Sequence, residues 1–235
     1  MDPRKAVGLI PARGGSKSIP LKNMVPLLGR PMIDYVIEAG LACPALAEVA
    51  CSTDHEGIAD HCRSRGVTVI PRPEALAGDD APVAAVMVQV LEWFAQRDGV
   101  APGMLALLQP TSPMILPEHI AACVQRLLED PEAGSAQTIA PVLHNAHAYN
   151  QRLFEGGRVA FRFAEERKAA YNKQKKPSFY QFGNLVVTRA TALLAGEGPF
   201  AAPSLGAPVE RRFALDVDGP DDLAFAEFLL AGIAC

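Results

Sequence analysis

The sequence predicts an α/β fold in which helices cover both faces of a mostly parallel sheet. Short apolar runs, of the kind that form buried parallel strands, alternate along the chain with helix-like segments. A glycine-rich loop follows the first apolar run, and ligands of such sheets bind beyond the carboxyl ends of the strands. The 235 residues, of which 49% are hydrophobic and 20% charged, suffice for one domain with a full core. The predicted fold class is therefore a Rossmann-like, three-layer α/β domain.

The predicted elements follow one another in β-α order. Strands are expected at residues 6–10, 48–52, 67–70, 104–108, 136–142, 185–188 and 212–217. Helices are expected at residues 31–41, 54–65, 83–96, 117–128 and 220–230. Pro31 is placed in the first turn of the first helix, and Thr53 is expected to cap the second.

The β-α order breaks between residues 144 and 182. This stretch is more polar than its surroundings and carries many arginines and lysines, among them Arg162 and Lys173. We interpret residues 1–235 as a single domain with an insertion at residues 144–182 that forms a lid or a dimer contact.

Composition narrows the classes of function. The net charge is -4, the isoelectric point is about 5.7 and there is no basic stripe, which argues against a nucleic-acid-binding protein. The five cysteines are scattered and form no C-x-x-C pair, which disfavours a disulfide framework and favours a reducing compartment. No signal-peptide pattern is seen, and the apolar stretch at residues 223–234 contains Glu227 and is too short to span a bilayer. We therefore expect a cytoplasmic protein that binds neither nucleic acid nor membrane.

The loop after the first predicted strand has the composition of a phosphate site. It reads IPARGGSKSIPLKN over residues 10–23, and its paired glycines let successive N–H groups form a concave anion site. Arg13, Lys17 and Lys22 add three cations within ten residues, enough to offset much of the charge of a triphosphate. The loop has neither the G-x-x-x-x-G-K-[ST] nor the G-x-G-x-x-G pattern, which disfavours a Walker A loop and a dinucleotide-binding dehydrogenase. The alternative interpretation is a solvated turn rich in glycine and lysine.

Four further sequence blocks follow this loop. They are Ser52-Thr53-Asp54, RPEALAGD at residues 72–79, LLQPTSP at residues 107–113, and Asp216-Val217-Asp218. With the loop, they resemble the ordered motifs of the acylneuraminate (CMP-sialic acid) cytidylyltransferase family, along almost the whole chain. The resemblance implies a fold of the nucleotide-diphospho-sugar transferase type, CTP and a small acidic acceptor as partners, Mg²⁺ as cofactor, and a homodimer.

The resemblance also implies roles for individual residues. Nucleotide contacts are implied for Ala12, Arg13, Gly14, Gly15, Ser16, Lys22, Asn23, Arg72 and Asp79. Acceptor contacts are implied for Gln109, Thr111, Ser112, Lys173, Gln174 and Tyr180. Catalysis is implied for Arg13, Lys17, Asp216 and Asp218, the last two as ligands of Mg²⁺. The implied reaction joins the anomeric hydroxyl of a sugar acid to the α-phosphorus of CTP and releases pyrophosphate.

The two aspartates support this interpretation on physical grounds. Because they lie two residues apart on a predicted strand, Asp216 and Asp218 are expected to point to one face of the sheet. Mg²⁺ is typically held by one or two carboxylates together with phosphate oxygens. The alternative is that Asp218 only helps to begin the helix at Pro220, since acidic residues favour a helix N-terminus.

The departures from the family pattern cluster in the presumed acceptor half. Asp80-Ala81-Pro82-Val83 stands where the family often has small hydroxyl residues, which also weakens the inference to cytosine, and Phe182 replaces an asparagine. We infer that nucleotidyl transfer is retained and that the acceptor differs from ordinary sialic acid, with legionaminic, pseudaminic or another ulosonic acid as candidates. Lys173 and Arg162 of the insertion are expected to meet the carboxylate of the acceptor.

Two alternatives stay open from the sequence. One is a nucleotidyltransferase that uses another nucleoside triphosphate or a different acceptor, such as an organophosphonate. The other, of a different class, is a non-catalytic nucleotide-binding module.

Overall fold

A computed structural model describes residues 2–15, 19–170 and 172–233 of the chain. The strands are β1 (Asp2–Pro11), β2 (Pro26–Leu27), β3 (Arg30–Pro31), β4 (Glu48–Thr53), β5 (Thr68–Pro71), β6 (Pro102–Leu107), β7 (Ser135–Pro141), β8 (Arg152–Glu155), β9 (Arg158–Phe161), β10 (Tyr180–Arg189) and β11 (Ser204–Pro208). The α-helices are α1 (Ile33–Leu41), α2 (Glu56–Ser64), α3 (Val83–Asp98), α4 (Pro117–Glu129), α5 (Ala164–Ala169), α6 (Ala190–Leu194) and α7 (Pro220–Ile233).

The main sheet has seven strands in the order β11-β7-β10-β6-β1-β4-β5. Every neighbouring pair is parallel except the two pairs made by β10, which runs antiparallel to β6 and to β7. The chain builds outward from β1 through β4 to β5 and then returns to β6 on the other side of β1. A crevice at the carboxyl ends of β1 and β6 is the expected ligand site of such a sheet.

Helices cover both faces of the sheet, as predicted. Alternate residues of β1 face opposite sides: Ile10 packs in one cluster with residues of α1, α2 and α4, and Leu9 packs in another with residues of α3 and α6. Ile10 and Leu9 are both fully buried, so β1 lies at the centre of a three-layer domain. The predicted fold class is confirmed.

Two predicted helix starts are wrong. Helix α1 begins at Ile33, and Pro31 instead pairs with Pro26 in a short β2–β3 ladder. Helix α2 is capped by His55, whose Nδ1 accepts from the N–H of Ile58 at 3.3 Å, whereas Thr53 ends strand β4. Thr53 uses its hydroxyl to accept from the N–H of His55 at 3.2 Å. The hydroxyl therefore shapes the turn before the helix without reaching the helix itself.

The predicted last strand, residues 212–217, is also wrong. Its first residues belong to a 3₁₀ turn (Arg211–Phe213), and residues 214–218 have no regular secondary structure. The edge strand β11 was not predicted, because Pro203, Gly206 and Pro208 interrupt its short apolar pattern. Strand β11 pairs with β7 at the edge of the sheet, and the hydrophobic periodicity of the sequence did not indicate it.

The stretch predicted as an insertion, residues 144–182, holds a hairpin and a short helix. Strands β8 and β9 form a hairpin, followed by α5, and the final residues of the predicted insertion already belong to β10. Phe154 and Val159 lie directly opposite each other in the hairpin and are 73% and 64% exposed. One face of the insertion therefore presents apolar side chains to solvent.

Two further sequence expectations can be compared with the described residues. Cys43, Cys51, Cys62 and Cys123 are free, buried thiols. In the part of the chain that is described, no helix has both the length and the apolar character needed to cross a membrane.

Candidate active site

A cleft of about 580 Å³ opens at the carboxyl ends of β1 and β6. It is lined by Pro11, Arg13, Gly15, Lys22, Asn23, Asp79, Asp80, Gln109, Pro110 and Thr111. A smaller hollow of about 190 Å³ adjoins it, shares Arg13 and Asp79 with it, and adds Arg72. Both lie where the strand order reverses, at the ligand position that the fold predicts.

Hydrogen bonds fold the glycine loop back over the end of β1. The N–H of Ala12 donates to the carbonyl of Ser52 at 3.0 Å, and the N–H of Gly14 donates to the Asp54 carboxylate at 2.9 Å. From the far side of the loop, the Asn23 side-chain amide donates to the carbonyl of Arg13 at 3.0 Å. A Cβ at Gly14 would lie 2.8 Å from the ring of His55, so this approach requires glycine.

Two guanidinium groups meet beside this loop. Arg13 forms an ion pair with Asp79 at 2.5 Å, and both side chains are about one-third exposed. Arg72 is buried and donates to the carbonyl and the hydroxyl of Ser52 at 2.8 and 3.2 Å. Burial lowers the pKa of Arg72, Asp54 opposes this shift and the neighbouring charge of Arg13 adds to it. An anion bound between the two groups would relieve their repulsion.

Lys22 joins the glycine loop to the acidic segment, which we define as residues 214–218. Its ammonium donates to the carbonyl of Val217 at 3.0 Å and lies 3.3 Å from a carboxylate oxygen of Asp218. The Lys22 side chain is 15% exposed, whereas that of Asp218 is 81% exposed. The lysine therefore spans the cleft from a partly buried position, and the aspartate carboxylate faces solvent.

The acidic segment is held by contacts on both sides of Asp216 and Asp218. Between them, the N–H of buried Val217 donates to the carbonyl of Thr111 at 2.7 Å. Beyond them, the Asp222 carboxylate in the first turn of helix α7 accepts from the N–H groups of Asp218 and Gly219 at 3.0 and 2.9 Å, which ties the acidic segment to the helix. The two aspartates thus lie on irregular backbone, and not on the alternating positions of a strand.

The charge of Asp216 indicates how this segment would treat a cation. Asp216 is an exposed residue, but the surrounding protein removes part of the hydration of its carboxylate. This desolvation raises the pKa of Asp216. A hydrogen bond with Thr111 and the charge of Lys22 oppose the shift, whereas the charges of Asp218 and Asp222 add to it. Because the carboxylates repel one another, a divalent cation between Asp216 and Asp218 would be favoured.

The donor set also fits Mg²⁺ in kind. Within the described ranges there is no group of three or more histidine, cysteine or acidic side chains arranged for a metal. Mg²⁺ does not need such a cage, because it commonly takes one or two carboxylates and completes its shell with phosphate oxygens and water. Asp216 and Asp218 supply that number of carboxylates at the edge of the cleft.

The predicted acceptor residues do not form one group. Gln109 and Thr111 line the same cleft as Arg13, and Ser112 is buried with its N–H donating to the carbonyl of Gln109 at 2.9 Å. Gln174 and Tyr180 are exposed and line neither the cleft nor its adjoining hollow. Three predicted positions lie outside the description: Ser16 and Lys17 as residues, and the side chain of Lys173.

A larger hollow of about 840 Å³ lies beyond the acidic segment, between the end of β7, the start of β10 and helix α7. It is lined by Pro141, Val142, Leu143, His144, Gln181, Glu210, Arg211, Arg212, Ala214, Leu215, Phe225 and Leu229. Its walls are mostly apolar, with two arginines at one side. Ala214 and Leu215 of the acidic segment form part of its lining.

Sequence reasoning missed several residues that shape this site. The sequence predicts no binding role for Asp54, which appears only in a sequence block. It predicts no role for Arg211, and it places Arg212 on the last predicted strand. Their positions depend on contacts between distant segments, for which a single sequence gives no signal. The neighbouring pair of arginines just before the acidic segment was the one local sign of the larger hollow.

A mostly parallel sheet with a cationic glycine loop and a carboxylate pair at its carboxyl edge is the arrangement of an α/β enzyme that handles nucleotide phosphates. The profile of the family described as Cytidylyltransferase matches residues 7–192. The chain belongs to the cytidylyltransferase family, as the ordered sequence blocks predicted.

Similar proteins agree with this assignment. The CMP-N,N'-diacetyllegionaminic acid synthase of Legionella pneumophila is 29% identical over 229 residues, which cover 96% of each protein. An N-acylneuraminate cytidylyltransferase of Streptococcus agalactiae is 26% identical over 221 residues, 93% of this chain and 51% of that protein, so the chain spans about half its length. The solved structure of CMP:2-keto-3-deoxy-manno-octonic acid synthetase complexed with CTP has the same fold, with a TM-score of 0.73 at 20% identity, covering 97% of this chain and 99% of that one.

Proposed function

We propose that the protein transfers CMP from CTP to the anomeric hydroxyl of a nonulosonic acid and releases pyrophosphate. The observation that carries the proposal is the contact of Lys22 with Asp218, which joins a cationic loop and a carboxylate pair at one cleft. The full-length match to a relative named as a CMP-N,N'-diacetyllegionaminic acid synthase supports the choice of base and acceptor class.

The nucleotide is assigned to the 580 Å³ cleft and its smaller neighbour. Backbone N–H groups of the glycine loop and the cations Arg13 and Lys22 meet the phosphates, and Lys17 adds charge from the same loop. Arg13 exchanges part of its contact with Asp79 for phosphate oxygens. Its planar fork suits this exchange because a guanidinium can bind two oxygens at once.

The reaction forms one bond and breaks another. An oxygen–phosphorus bond forms between the acceptor hydroxyl and the α-phosphorus, the α–β phosphoanhydride bond breaks, and the hydroxyl loses its proton. Arg13 and Lys22 stabilise the charge that builds on the phosphates, so catalysis rests on positioning and electrostatics. When held by Asp216 and Asp218, Mg²⁺ supplies further neutralisation of phosphate charge.

The acceptor is assigned to the larger hollow beyond the acidic segment. Its apolar walls, which include Leu143 and Phe225, suit deoxygenated or acylated substituents better than a polyol chain, because buried hydroxyls need partners. Arg211 supplies the positive charge for a carboxylate, whereas Arg212 pairs with Glu210 of the same hollow at 3.2 Å. This lining supports the inference that the acceptor is not ordinary sialic acid.

The insertion is proposed to act as a lid or a dimer contact, in a homodimer. Phe154 and Val159 on the hairpin supply the exposed apolar surface that such a contact would cover. Sedimentation of the protein with Phe154→Ser and without it would show whether the hairpin holds two copies together.

The test is pyrophosphate release from CTP and Mg²⁺ with a panel of acceptors: N-acetylneuraminic, legionaminic, pseudaminic and 3-deoxyoctulosonic acids, and 2-aminoethylphosphonate. We expect release with a nonulosonic acid, abolished by Asp218→Ala and retained in the control Asp98→Ala. Asp98 suits this purpose because it also pairs with a lysine at 3.3 Å, but at the opposite end of β1.

Other results would select the alternatives. Release only with UTP, GTP or ATP would change the base, and release only with the phosphonate would change the acceptor. Tight CTP binding by calorimetry, without turnover on any acceptor, would favour a non-catalytic nucleotide-binding module.

A further inference from the structure

The acidic segment has an anchor that lies outside the cleft. Asn184 is fully buried on β10, and its side-chain amide donates to the carbonyl of Phe213 at 2.9 Å. Phe213 ends the 3₁₀ turn that leads directly into residues 214–218. A residue of the central sheet therefore holds the backbone from which the carboxylates of Asp216 and Asp218 extend.

A β-bulge aims Asn184 at this carbonyl. The register of β10 against β7 shifts between Phe182 and Val186, and the hydroxyl of Thr138 accepts from the N–H groups of Asn184 and Leu185 at 2.8 and 3.0 Å. The same hydroxyl lies 3.0 Å from the side-chain oxygen of Asn184. Such bulges redirect side chains and are common beside active sites.

Glycine makes the bulge possible. A Cβ at Gly183 would lie 2.5 Å from the Thr138 hydroxyl, so the two strands approach this closely only without a side chain there. The orientation of Asn184 is thus fixed by the backbone on one side and by Thr138 on the other.

His119 completes the network. Its Nδ1 lies 3.2 Å from the Asn184 amide nitrogen and also accepts from the N–H of Leu116 at 3.2 Å. One hydrogen of the Asn184 amide therefore has the Phe213 carbonyl as its acceptor, and the other faces His119 Nδ1, whose lone pair it shares with the N–H of Leu116. The His119 ring packs edge-on against the Phe213 ring with centroids 4.8 Å apart, so the anchored turn is also fixed by packing.

We propose that Asn184 is a positioning residue for the Mg²⁺ carboxylates, which it sets in place through the Phe213 carbonyl. The inference rests on the proposed function, because that function assigns the metal to Asp216 and Asp218. The segment has no strand ladder to fix it, so its anchors decide where the carboxylates lie. Partners that orient metal ligands commonly contribute roughly 10- to 100-fold to metal affinity or activity.

A matched pair of variants separates positioning from general stability. Asn184→Leu removes the donor to the Phe213 carbonyl. Thr188→Val, on the same strand, removes a buried hydroxyl that donates to the Pro199 carbonyl at 2.5 Å. Both leave a backbone carbonyl without its side-chain donor. Thr188 does not touch the acidic segment, because its bond reaches residues before β11.

The measurement is Mn²⁺ binding to the protein in the presence of CTP, followed by the loss of the free-ion electron paramagnetic resonance signal beyond the loss that the same CTP causes without protein. We expect Asn184→Leu to weaken Mn²⁺ binding about tenfold and Thr188→Val to leave it unchanged at a similar melting temperature. If Asn184→Leu does not fold, Asn184→Ser, which also loses the reach to Phe213, replaces it. Unchanged Mn²⁺ affinity in the folded Asn184 variant, or an equal loss in both variants, would overturn the proposal.

This readout also separates the inference from the proposed function. If the wild type binds Mn²⁺ but transfers CMP to no acceptor, the proposed function fails and the role of Asn184 can still be supported. If the wild type with CTP binds no Mn²⁺, the role of Asn184 is overturned together with the metal assignment.

Discussion

Lys22 and Asp218, 196 residues apart in the sequence, lie 3.3 Å apart between ammonium and carboxylate in the folded chain. The same ammonium donates to the carbonyl of Val217 at 3.0 Å, so it binds both the side chain and the backbone of the acidic segment. Lys22 thus keeps the two halves of the cleft together and reduces the repulsion between the carboxylates. It keeps one further donor for a phosphate, since an ammonium has three and two are used in these contacts.

Replacing this lysine should weaken nucleotide binding. We expect Lys22→Gln to raise the KM for CTP about tenfold or more, because a hydrogen bond to a charged group contributes about 1.5–3 kcal/mol. The control is Lys5→Gln, since Lys5 pairs with Asp98 at the same 3.3 Å but far from the cleft. Steady-state kinetics with CTP varied would check this, and equal KM values in the two variants would contradict it.

Neutral substitutions of Asp216 and Asp218 should lower activity much more than a neutral substitution of their neighbour Asp222. Asp216→Asn and Asp218→Asn are expected to lower kcat by about 100-fold or more, because a bound metal contributes several kcal/mol of charge stabilisation. Asp222→Asn should keep most activity, because the asparagine side-chain oxygen can still accept from the N–H groups of Asp218 and Gly219. Titration of activity with Mg²⁺ in all three variants provides the measurement. A collapse of activity in Asp222→Asn would make Asp222 a third metal ligand.

The central strands were predictable because their signal is local. Strands buried on both faces are continuous apolar runs, and the prediction at residues 48–52 matches β4 (Glu48–Thr53) closely. The glycine loop could be assigned a phosphate role for the same reason, since its glycines and cations are neighbours in sequence. Its position at the strand-order reversal then follows from the fold.

The acidic segment was not predictable in shape because its shape is not local. Alternating residues at 212–217 imitate a strand, but the structure there depends on Thr111, Lys22 and Asn184, which come from other parts of the chain. The argument from strand alternation was wrong, although Lys22 interacts with both aspartates, and their joint binding of Mg²⁺ stays a prediction. The larger hollow escaped prediction for the same reason, since its walls come from four separated segments.

Arg13 should depend on the shape of its head group as well as its charge. We expect Arg13→Lys to lower kcat/KM for CTP by roughly 10- to 100-fold, since lysine cannot bind two oxygens with a planar fork. Arg63→Lys is the control, because Arg63 also pairs with carboxylates but is exposed on α2. Similar kcat/KM values for Arg13→Lys and wild type would mean that Arg13 acts as a point charge or does not touch the phosphates.

If the larger hollow binds the acceptor, a substitution in its lining should change the KM for the acceptor and not the KM for CTP. We expect Arg211→Gln to raise the KM for the acceptor acid about tenfold, by loss of a charge-assisted hydrogen bond, and to leave the KM for CTP unchanged. Arg162→Gln tests the insertion in the same assay, because Arg162 contacts Gln151 and lines no part of this hollow. A raised acceptor KM in Arg162→Gln alone would show that the insertion, and not the hollow, binds the carboxylate of the acceptor.

His119 predicts a loss of stability in mild acid. Burial lowers the pKa of His119, and the charge of Glu118 opposes this shift only in part, so the fold binds its proton less tightly than the unfolded chain does. The contribution of neutral His119 is therefore complete above the unfolded pKa of about 6.5 and declines as the pH falls toward the lower folded pKa, with a slope of at most about 1.4 kcal/mol per pH unit. Urea unfolding at a series of pH values between 7.5 and 5 measures the free energy of unfolding. His119→Asn keeps an acceptor for the Asn184 amide without a titrating ring, so its curve should be flatter than that of the wild type across this window. Parallel curves would show that His119 does not cause the loss.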